Sequence, residues 1–566
     1  MNKFTDVRRP FLVLALLPIA VLIGLLSVNV IMFGEDSSYG PNQIALLMAA
    51  ATAVIAGRFV KVPFKQMMHG VNRAIGSALT AMLILLLIGS LAGTWMMSGI
   101  VPAMIYYGLD VLNPKIFLFA SAVVCAIVSV ATGSSWSTVA TVGIALLGIG
   151  SALGVSEALA AGAIISGAYF GDKISPLSDT TNLAAAVAGT DLITHIKYML
   201  LTTVPSFTIA LVIFLAIGFG GDSSGLASDT AALKQEVASH YDTLSPILFV
   251  VPVVVLAMVI MKIDALTALF VGAVLGGLFA IAFQPKMITV IAGLKEVPVE
   301  ASESTEGTSA GDAEAKTRPP SYLKRSYVAF INSMALKTKR FSDDESAAFT
   351  AQLDAARLES ARRQFDNPDL TSEELKELKV PLKETFPGLQ AKVSAAKLLQ
   401  GKGMEGMLNT IWLILTAMCF GGVMEACGFL KRITDPLVGL AQSNGSLVAT
   451  TSGTCLFVNA TAADQYLAIV VPGQMFRETF EERELAPQNL SRTLEDSGTV
   501  TSVLIPWNTC GAAQSSVLGV STLAYAPFCF FNLISPLMTM FVGFVGFKIA
   551  KLDPESEESV EPTLNA

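Results

Sequence analysis

The chain has 566 residues, 53% of them hydrophobic and only 14% charged, with a net charge of -8. A soluble globular chain carries roughly 25% charged residues and a disordered one is richer still in charge, so neither class fits. The small net charge gives no reason to expect a nucleic-acid partner, and what remains is an all-α polytopic membrane protein.

Lys3, Arg8 and Arg9 precede an apolar run over residues 11–33. A signal-peptide core is about 7–15 residues long and ends in a small-x-small site, which is missing here. The run reads as a retained first helix with a cytoplasmic N-terminus. The loop 34–41 carries Glu35 and Asp36, whereas 58–73 carries Arg58, Lys61, Lys65 and Arg73, which puts the latter in the cytoplasm. Further apolar stretches cover 42–57, 74–98, 114–131, 137–150, 157–171, 196–220, 244–261, 264–283, 404–428, 446–472 and 515–547. They are continuous, unlike the alternating segments of about 10 residues in a transmembrane barrel. Several fall short of the roughly 20 residues of a full span, as expected where helices break or hairpins re-enter. Residues 286–403 differ in kind, with dense charge of both signs, Pro319, Pro320 and a Ser/Glu/Gly/Ala stretch over 300–315. Polar helices capped at Ser342 and Thr371 are expected there, in a water-facing insert.

The expected organisation is N-terminal transmembrane helices over 1–66, a membrane repeat over 67–195 and connecting transmembrane helices over 196–285. The polar insert over 286–403, a second membrane repeat over 404–514, a C-terminal helix or helices over 515–552 and an acidic tail over 553–566 complete the chain. The six cysteines lie in apolar segments without a CxxC pair, so they read as small buried hydrophobes rather than disulfides or a zinc site.

The two membrane halves are related. Gly93 matches Gly422 and Gly99 matches Gly428, both at an offset of 329 (422 − 93, 428 − 99). Thr132-Gly133-Ser134 is paired with Ser452-Gly453-Thr454 at 320 (453 − 133), Ser166-Gly167 with Ser497-Gly498 at 331 (497 − 166), and Pro176 with Pro506 at 330 (506 − 176). Repeats with matching interrupted segments point to a transporter site between halves.

Four polar, Gly-rich stretches sit at membrane depth: 131–143, 171–182, 452–466 and 497–511. Such stretches survive only inside protein or beside water, and their freed carbonyl, hydroxyl and amide oxygens suit a small hard cation. Their acids are Asp172, Asp179 and Asp464. A carboxylate in a low dielectric favours a proton and a bound cation expels it, so one site takes either occupant in turn, which is sufficient for exchange. Asp179 is the first choice, just past Pro176 and flanked by Ser178, Thr180, Thr181 and Asn182; Asp464 follows Asn459 and Thr461. Asn508 and Thr509 complete the cation- and proton-binding set, with Na+ placed at Asp179, Asn182, Asp464 and Asn459. Hairpin tips are expected at Ser134, Ser135, Ser137 and Thr138 and at Gly453 and Thr454. Asp172 adjoins Lys173, so a salt bridge between them is the bland alternative. Glu425 is either a second protonatable group or faces a water-filled crevice, and Trp136 and Trp507 either close over a solute or pack the core. Glu157, Asp191, Lys197, Lys262 and Asp264 read as interfacial, and His69, His195 and His240 as solvated.

The stretch GAYFGDKISPLSDTTNLAA (167–185), with ATGSSWSTVATVG upstream and VNATAADQYLAIVVPGQMF (458–476) downstream, resembles the NhaC family of sodium/proton antiporters. The resemblance spans roughly 70–550 without the insert, which departs from compact members. It implies the ion-transporter superfamily fold, with two inverted repeats that each hold a re-entrant hairpin and a discontinuous helix. It also implies a homodimer in the bacterial inner membrane and an elevator-type motion. The function expected is a secondary antiporter in the lipid bilayer that exports Na+, with Li+ as a second candidate, in exchange for H+. It would use no resident cofactor and no ATP, since no GxxxxGK[ST] is present. The alternative is a Na+- or H+-coupled exchanger of organic acids or amino acids, such as malate/lactate. Lys173 is the only Lys or Arg in the four stretches, which favours a cation. An enzyme is not expected: the GxGD signature of an intramembrane aspartyl protease is absent, since Tyr169 precedes Phe170-Gly171-Asp172.

Overall fold

In lipid a long apolar run can satisfy its backbone only within itself, and it folds as a helix. The computed structural model describes residues 10–33, 37, 40–111, 113–220, 226–261, 263–292, 297–298, 317–318, 321–339, 343–364, 392, 400–401, 403–439 and 441–552. Among them, eight helices are long and apolar enough to cross a membrane: Leu12–Phe33, Pro41–Phe59, Phe64–Met97, Pro114–Thr132, Ser135–Ala152, Leu192–Gly220, Ala265–Phe283 and Glu405–Ala426. The pair Thr522–Phe528 and Phe530–Val545, bent by 56°, makes a ninth if it is one span. Among the described residues, β structure is limited to two-residue antiparallel pairings, Val297–Pro298 with Thr317–Arg318 and Thr338–Lys339 with Gln400–Gly401, and an isolated bridge. The chain is an all-α polytopic membrane protein. The expected cap at Ser342, the helix over 371–378, the stretch 300–315, Lys262 and the acidic tail lie outside the described residues.

Two compact units divide the chain. One comprises residues 1–85, 112–221 and 408–566. Within it Phe117–Thr132 lies close along Glu157–Ile174, because a Cβ at Gly167 or Gly171 would overlap the carbonyl of Ala122 or Ala126. Small residues of this kind let helix backbones approach in the absence of a hydrophobic driving force. Asn444–Ala462, Gln465–Glu482 and Pro487–Leu494 share a core of Leu447, Cys455, Ile469, Phe476, Leu490 and Leu494.

The second unit comprises residues 86–111 and 222–407. The buried Gln284 side chain joins its segments, donating to the Ser98 and Thr243 carbonyls (3.2 and 2.5 Å) and accepting from the Asp242 amide (2.9 Å). A described part of the charged insert packs within this unit. Its Tyr322–Ala335 helix packs beside Ala265–Phe283 and the end of Phe64–Met97, where a Cβ on Gly277 or Gly93 would overlap Phe330 or the Ser333 carbonyl.

The backbone itself repeats. Left-handed residues end helices at Gly99, Gly133, Gly154 and Gly189 (φ 80°, 65°, 72° and 82°) and at Gly428, Ala463, Glu484 and Gly519 (φ 69°, 59°, 55° and 75°). The offset is 329 for the first pair (428 − 99) and 330 for the others (463 − 133, 484 − 154, 519 − 189). Asp179–Ala188 recurs as Thr509–Leu518, with Ser178 and Asn508 as the N-caps. Even a tertiary contact recurs: Ser129 Oγ donates to the Ala168 carbonyl and Asn459 Nδ2 to the Gly498 carbonyl, both at 2.6 Å. This corrects the pairing of Gly133 with Gly453. The counterpart of Gly133 is Ala463; Gly453 and Thr454, expected at a hairpin tip, lie inside the continuous helix Asn444–Ala462. The apolar stretch 446–472 is accordingly two helices broken at Ala463-Asp464.

Candidate functional site

Apart from Asp264 and Thr267, all of the residues described next belong to the first unit. The chain leaves Phe117–Thr132 through Gly133, where a left-handed φ of 65° and a Cβ position 2.5 Å from Leu177 both require glycine. Ser134 then caps Ser135–Ala152, its Oγ accepting from the Ser137 amide at 3.2 Å. The first residue of that helix, Ser135, donates its amide (3.0 Å) and its hydroxyl (2.7 Å) to Oδ2 of Asp172. The Asp172 carboxyl thus sits at a helix N-terminus, where free N–H groups and the helix dipole favour negative charge. It is 7% exposed, and its second oxygen, Oδ1, has no hydrogen-bond partner.

Lys173 points elsewhere. Its fully buried ammonium pairs with Asp496 and donates to Ser535 Oγ at 3.0 Å, 5.6 Å from the Phe531 ring centroid. The alternative of an Asp172–Lys173 bridge does not hold, because consecutive residues of a helix point about 100° apart. Asp496 also accepts from Thr202 Oγ1 (2.7 Å) and Ser535 Oγ (3.2 Å). Its neighbour Glu495 is equally buried and lies within electrostatic range of Lys173 and Asp172. Glu495 Oε1 accepts from Thr180 Oγ1 at 3.1 Å, while Oε2 is unpartnered. Both acids start a π-helical turn, Glu495–Thr499, that follows Pro487–Leu494. Such turns frequently mark functional positions.

After the Ser175–Ser178 break, Ser178 caps Asp179–Ala188, and Thr181 Oγ1 donates back to the Lys173 carbonyl at 2.9 Å. Asp179 is exposed and both its oxygens are engaged, by the Thr180 amide (2.8 Å) and Tyr466 OH (2.6 Å). Asn182 is exposed too, its amide donating to the Pro176 and Ser178 carbonyls (3.1 and 2.6 Å).

In the second half Asp464 is buried and caps Gln465–Glu482, accepting from the Leu467 amide at 2.9 Å. Asn459 donates to the Gly498 carbonyl and Thr501 Oγ1 (2.6 and 3.1 Å) and accepts from Asn508 Nδ2 at 3.1 Å. Asn508 caps the following helix through the Cys510 amide (3.0 Å), and the Thr509 amide donates to the Ala463 carbonyl (3.0 Å). Thr461 bonds within its own helix, to the Phe457 carbonyl, as Thr138 does to Ser134. Trp507 donates to the Ala460 carbonyl at 2.7 Å, and Trp136 is half-buried.

The structure thus joins Asp172 with Ser135, Glu495 with Thr180, and Asp179 with Tyr466 two residues past Asp464. Among the described residues no hydrogen bond links Asp179, Asn182, Asp464 and Asn459 to one another, and no group of three His, Cys, Asp or Glu side chains forms a metal-ligand set. Glu425 pairs with Arg73 at 3.8 Å. Glu157, Asp191, Lys197 and Asp264 are exposed, and so is His69. Hydrogen bonds from the Thr194 and Thr267 side chains, and next from their amides at 2.9 Å, lower the Asp191 and Asp264 carboxyls below the ordinary value. His195, expected in solvent, is instead fully buried against Ser491 Oγ at 2.8 Å.

The sequence reading missed Glu495, Asp496 and Arg492, the last fully buried with its guanidinium 4.7 Å from the Tyr198 ring centroid. The segment before them carries Arg477, Glu478, Glu481, Glu482, Arg483 and Glu484, which conceals a buried helix from a hydropathy scan. The repeat offset of 330 would have found it, since Glu157–Ile174 shifted by that amount falls on 487–504.

A protein-family model described as "Na+/H+ antiporter family" matches residues 167–310 and 384–547. The chain is 31% identical to the Na(+)/H(+) antiporter NhaC of Alkalihalophilus pseudofirmus, over 90% of this chain and 91% of that protein. It is 31% identical to the arginine/ornithine antiporter ArcD of Halobacterium salinarum, over 99% and 98% of the two chains. It is 29% identical to the malate-2H(+)/Na(+)-lactate antiporter of Bacillus subtilis, over 96% of each.

Proposed function

The chain belongs to the Na+/H+ antiporter family, and from that premise we propose that it exports Na+ in exchange for protons, with Asp172 and Glu495 as the exchanging carboxylates. The observation that carries this reading is the balance of buried charge. Among the described residues the buried acids are Asp172, Asp464, Glu495 and Asp496, and the buried Lys and Arg are Lys173 and Arg492. Fully ionised, that set holds an excess of two negative charges. Burying unpaired charge is strongly unfavourable, so the set must take up cations. Each exchanging carboxylate also keeps one oxygen outside the bonds to Ser135 and Thr180, Asp172 Oδ1 and Glu495 Oε2, and with the Ser178 and Thr499 hydroxyls close by it can take a proton or face a cation. Ser135 and Thr180 hold the other oxygen, which fixes where the free one points.

Exchange follows from the same balance. A proton or Na+ neutralises a carboxylate, so either loaded form can rearrange. An unloaded form would carry its excess charge through the move, and that cost blocks uncoupled leakage. Exposed Asp179 is assigned to the entrance, where it draws in cations, and Asp464 to holding the second break in shape. The recurrence of four left-handed turns supports two equivalent halves, and the resemblance supports their inversion, an elevator motion, a homodimer and a bacterial inner membrane.

A second reading, exchange of an organic acid or amino acid coupled to these cations, is favoured by the likeness to the malate/lactate and arginine/ornithine antiporters. Against it, the base beside the two carboxylates, Lys173, is taken up by Asp496. Proteoliposomes with an internal pH dye test the assignment. An external Na+ pulse is expected to drive protons out and alkalinise the lumen. Asp172→Asn and Glu495→Gln are each expected to abolish the response, and Asp179→Asn to raise the half-saturating Na+ concentration. Full exchange by Asp172→Asn with Glu495→Gln would overturn the assignment. Sodium-dependent uptake of labelled malate or ornithine, with no response to Na+ alone, would establish the second reading.

A further inference from the structure

The Tyr322–Ala335 helix is inside out by the standards of a water-facing insert. Its fully buried residues are small, Ser326, Ala329 and Ser333, with half-buried Phe330 beside them, while the face left open carries Leu323 (81% exposed), Tyr327 (67%) and Ile331 (43%). These three recur at four-residue spacing and so form one stripe. In water the opposite arrangement is favoured, because apolar burial drives folding. In lipid, small residues pack inward and large apolar residues face out.

Its neighbours fix its level. Ala265–Phe283 is 19 residues long, about 28 Å at 1.5 Å per residue, so its ends lie near the two faces of the hydrocarbon core. Phe330 packs on Gly277, six residues from the end of that helix (283 − 277), or about 9 Å inside it. The Ser333 carbonyl meets Gly93, four residues from the end of Phe64–Met97 (97 − 93), about 6 Å inside. Ser90 Oγ donates to the Met334 carbonyl at 3.1 Å, slightly deeper, and Tyr322 OH reaches the Ile281 carbonyl at 2.6 Å. The exposed apolar stripe therefore continues the lipid-facing surface of the same unit, which includes Phe270 and Leu278. At 14 residues the helix is about 21 Å long and too short to span. Exposed Lys324 near its start and Lys337 just past its end are placed to reach phosphate headgroups.

We propose that this helix lies in the membrane interface, with Leu323, Tyr327 and Ile331 among lipid acyl chains and Lys324 and Lys337 at the headgroups. The insert is then anchored in the bilayer at one end, and its charged Asp343–Gln364 helix projects from that anchor. Interfacial helices bury their apolar face about 5–10 Å into the headgroup boundary, which matches the depths given by Gly93 and Gly277.

Nitroxide labels at L323C, Y327C and I331C in the full chain, reconstituted in nanodiscs of mixed neutral and anionic lipid, test this. A label at Q352C on the charged helix serves as the water-exposed reference. All four positions are open, so the labels leave packing intact, and a thermal melt of each labelled protein verifies it. The three interface labels are expected to collide several-fold more with oxygen than with a water-soluble nickel chelate, and the reference label to show the reverse. Nickel access at the three positions equal to that at the reference overturns the proposal in favour of a water-facing helix. Low access to both agents with dipolar broadening between labels overturns it in favour of a contact between two copies of the chain.

Discussion

The Lys173–Asp496 pair allows a prediction whose size follows from the contacts. Both side chains are fully buried, so water cannot take the place of a lost partner. Removing one member of a buried pair costs about 3–5 kcal/mol, because the other charge is left uncompensated. Asp496 without Lys173 keeps Thr202 and Ser535, and hydrogen bonds to a charged group contribute about 1.5–3 kcal/mol each, so Lys173→Met falls near the lower figure. Lys173 without Asp496 keeps Ser535, the Phe531 ring and the nearby carboxyl of Glu495, so Asp496→Leu falls in the same range. Replacing both removes the uncompensated charge, and such apolar replacements are often close to neutral. The double variant should thus be more stable than either single one, with a coupling of about 3 kcal/mol or more. Equilibrium unfolding in mixed micelles, read by near-ultraviolet dichroism, measures the cycle. The double variant also leaves the excess of two buried negative charges unchanged, so it should still exchange Na+ for protons, whereas Lys173→Met raises that excess. Single variants that each cost under about 1 kcal/mol, with an additive double, would refute the reasoning and mean that the pair is hydrated.

Other expectations concern backbone and caps. Ala463 occupies a left-handed turn at φ 59°, where relief of about 1–2 kcal/mol of strain outweighs the entropy of glycine. Ala463→Gly should raise the thermal midpoint, and Gly133→Ala at the equivalent turn should lower it further than strain alone predicts, since its Cβ would meet Leu177. Asp264 caps Ala265–Phe283 with its carboxyl held below the ordinary value. Its contribution is complete above that unfolded-state value, about 3.8, and fades as pH falls through the lower folded value. Thermal midpoints measured from pH 2 to 6 should therefore converge for wild type and Asp264→Asn at the acid end, about where the folded carboxyl protonates.

Hydropathy alone defined most of the helices, since lipid leaves a long apolar run no other way to satisfy its backbone. The ordered Gly, Ser and Pro landmarks pointed to two related halves, although Gly133 was paired with Gly453 in place of Ala463 and Gly498 with Gly167 in place of Ala168, and the polar stretches at 131–143 and 171–182 did contain Asp172 and its partner Ser135. Three things waited for the tertiary structure. Ala463 adopts a turn that local sequence assigns to glycine, because Asp464 caps the next helix and the Thr509 amide takes the Ala463 carbonyl. Lys173 answers to Asp496, 323 residues away, and not to adjacent Asp172, because neighbours on a helix diverge. Glu495 and Asp496 sit in a segment too polar to read as membrane-buried. That segment is enclosed by protein and not by lipid, so its polar groups are satisfied by Thr180, Thr202, Ser535 and Lys173. Which face of a helix meets lipid and which meets protein is a property of the assembled bundle, and a one-dimensional pattern carries no record of it.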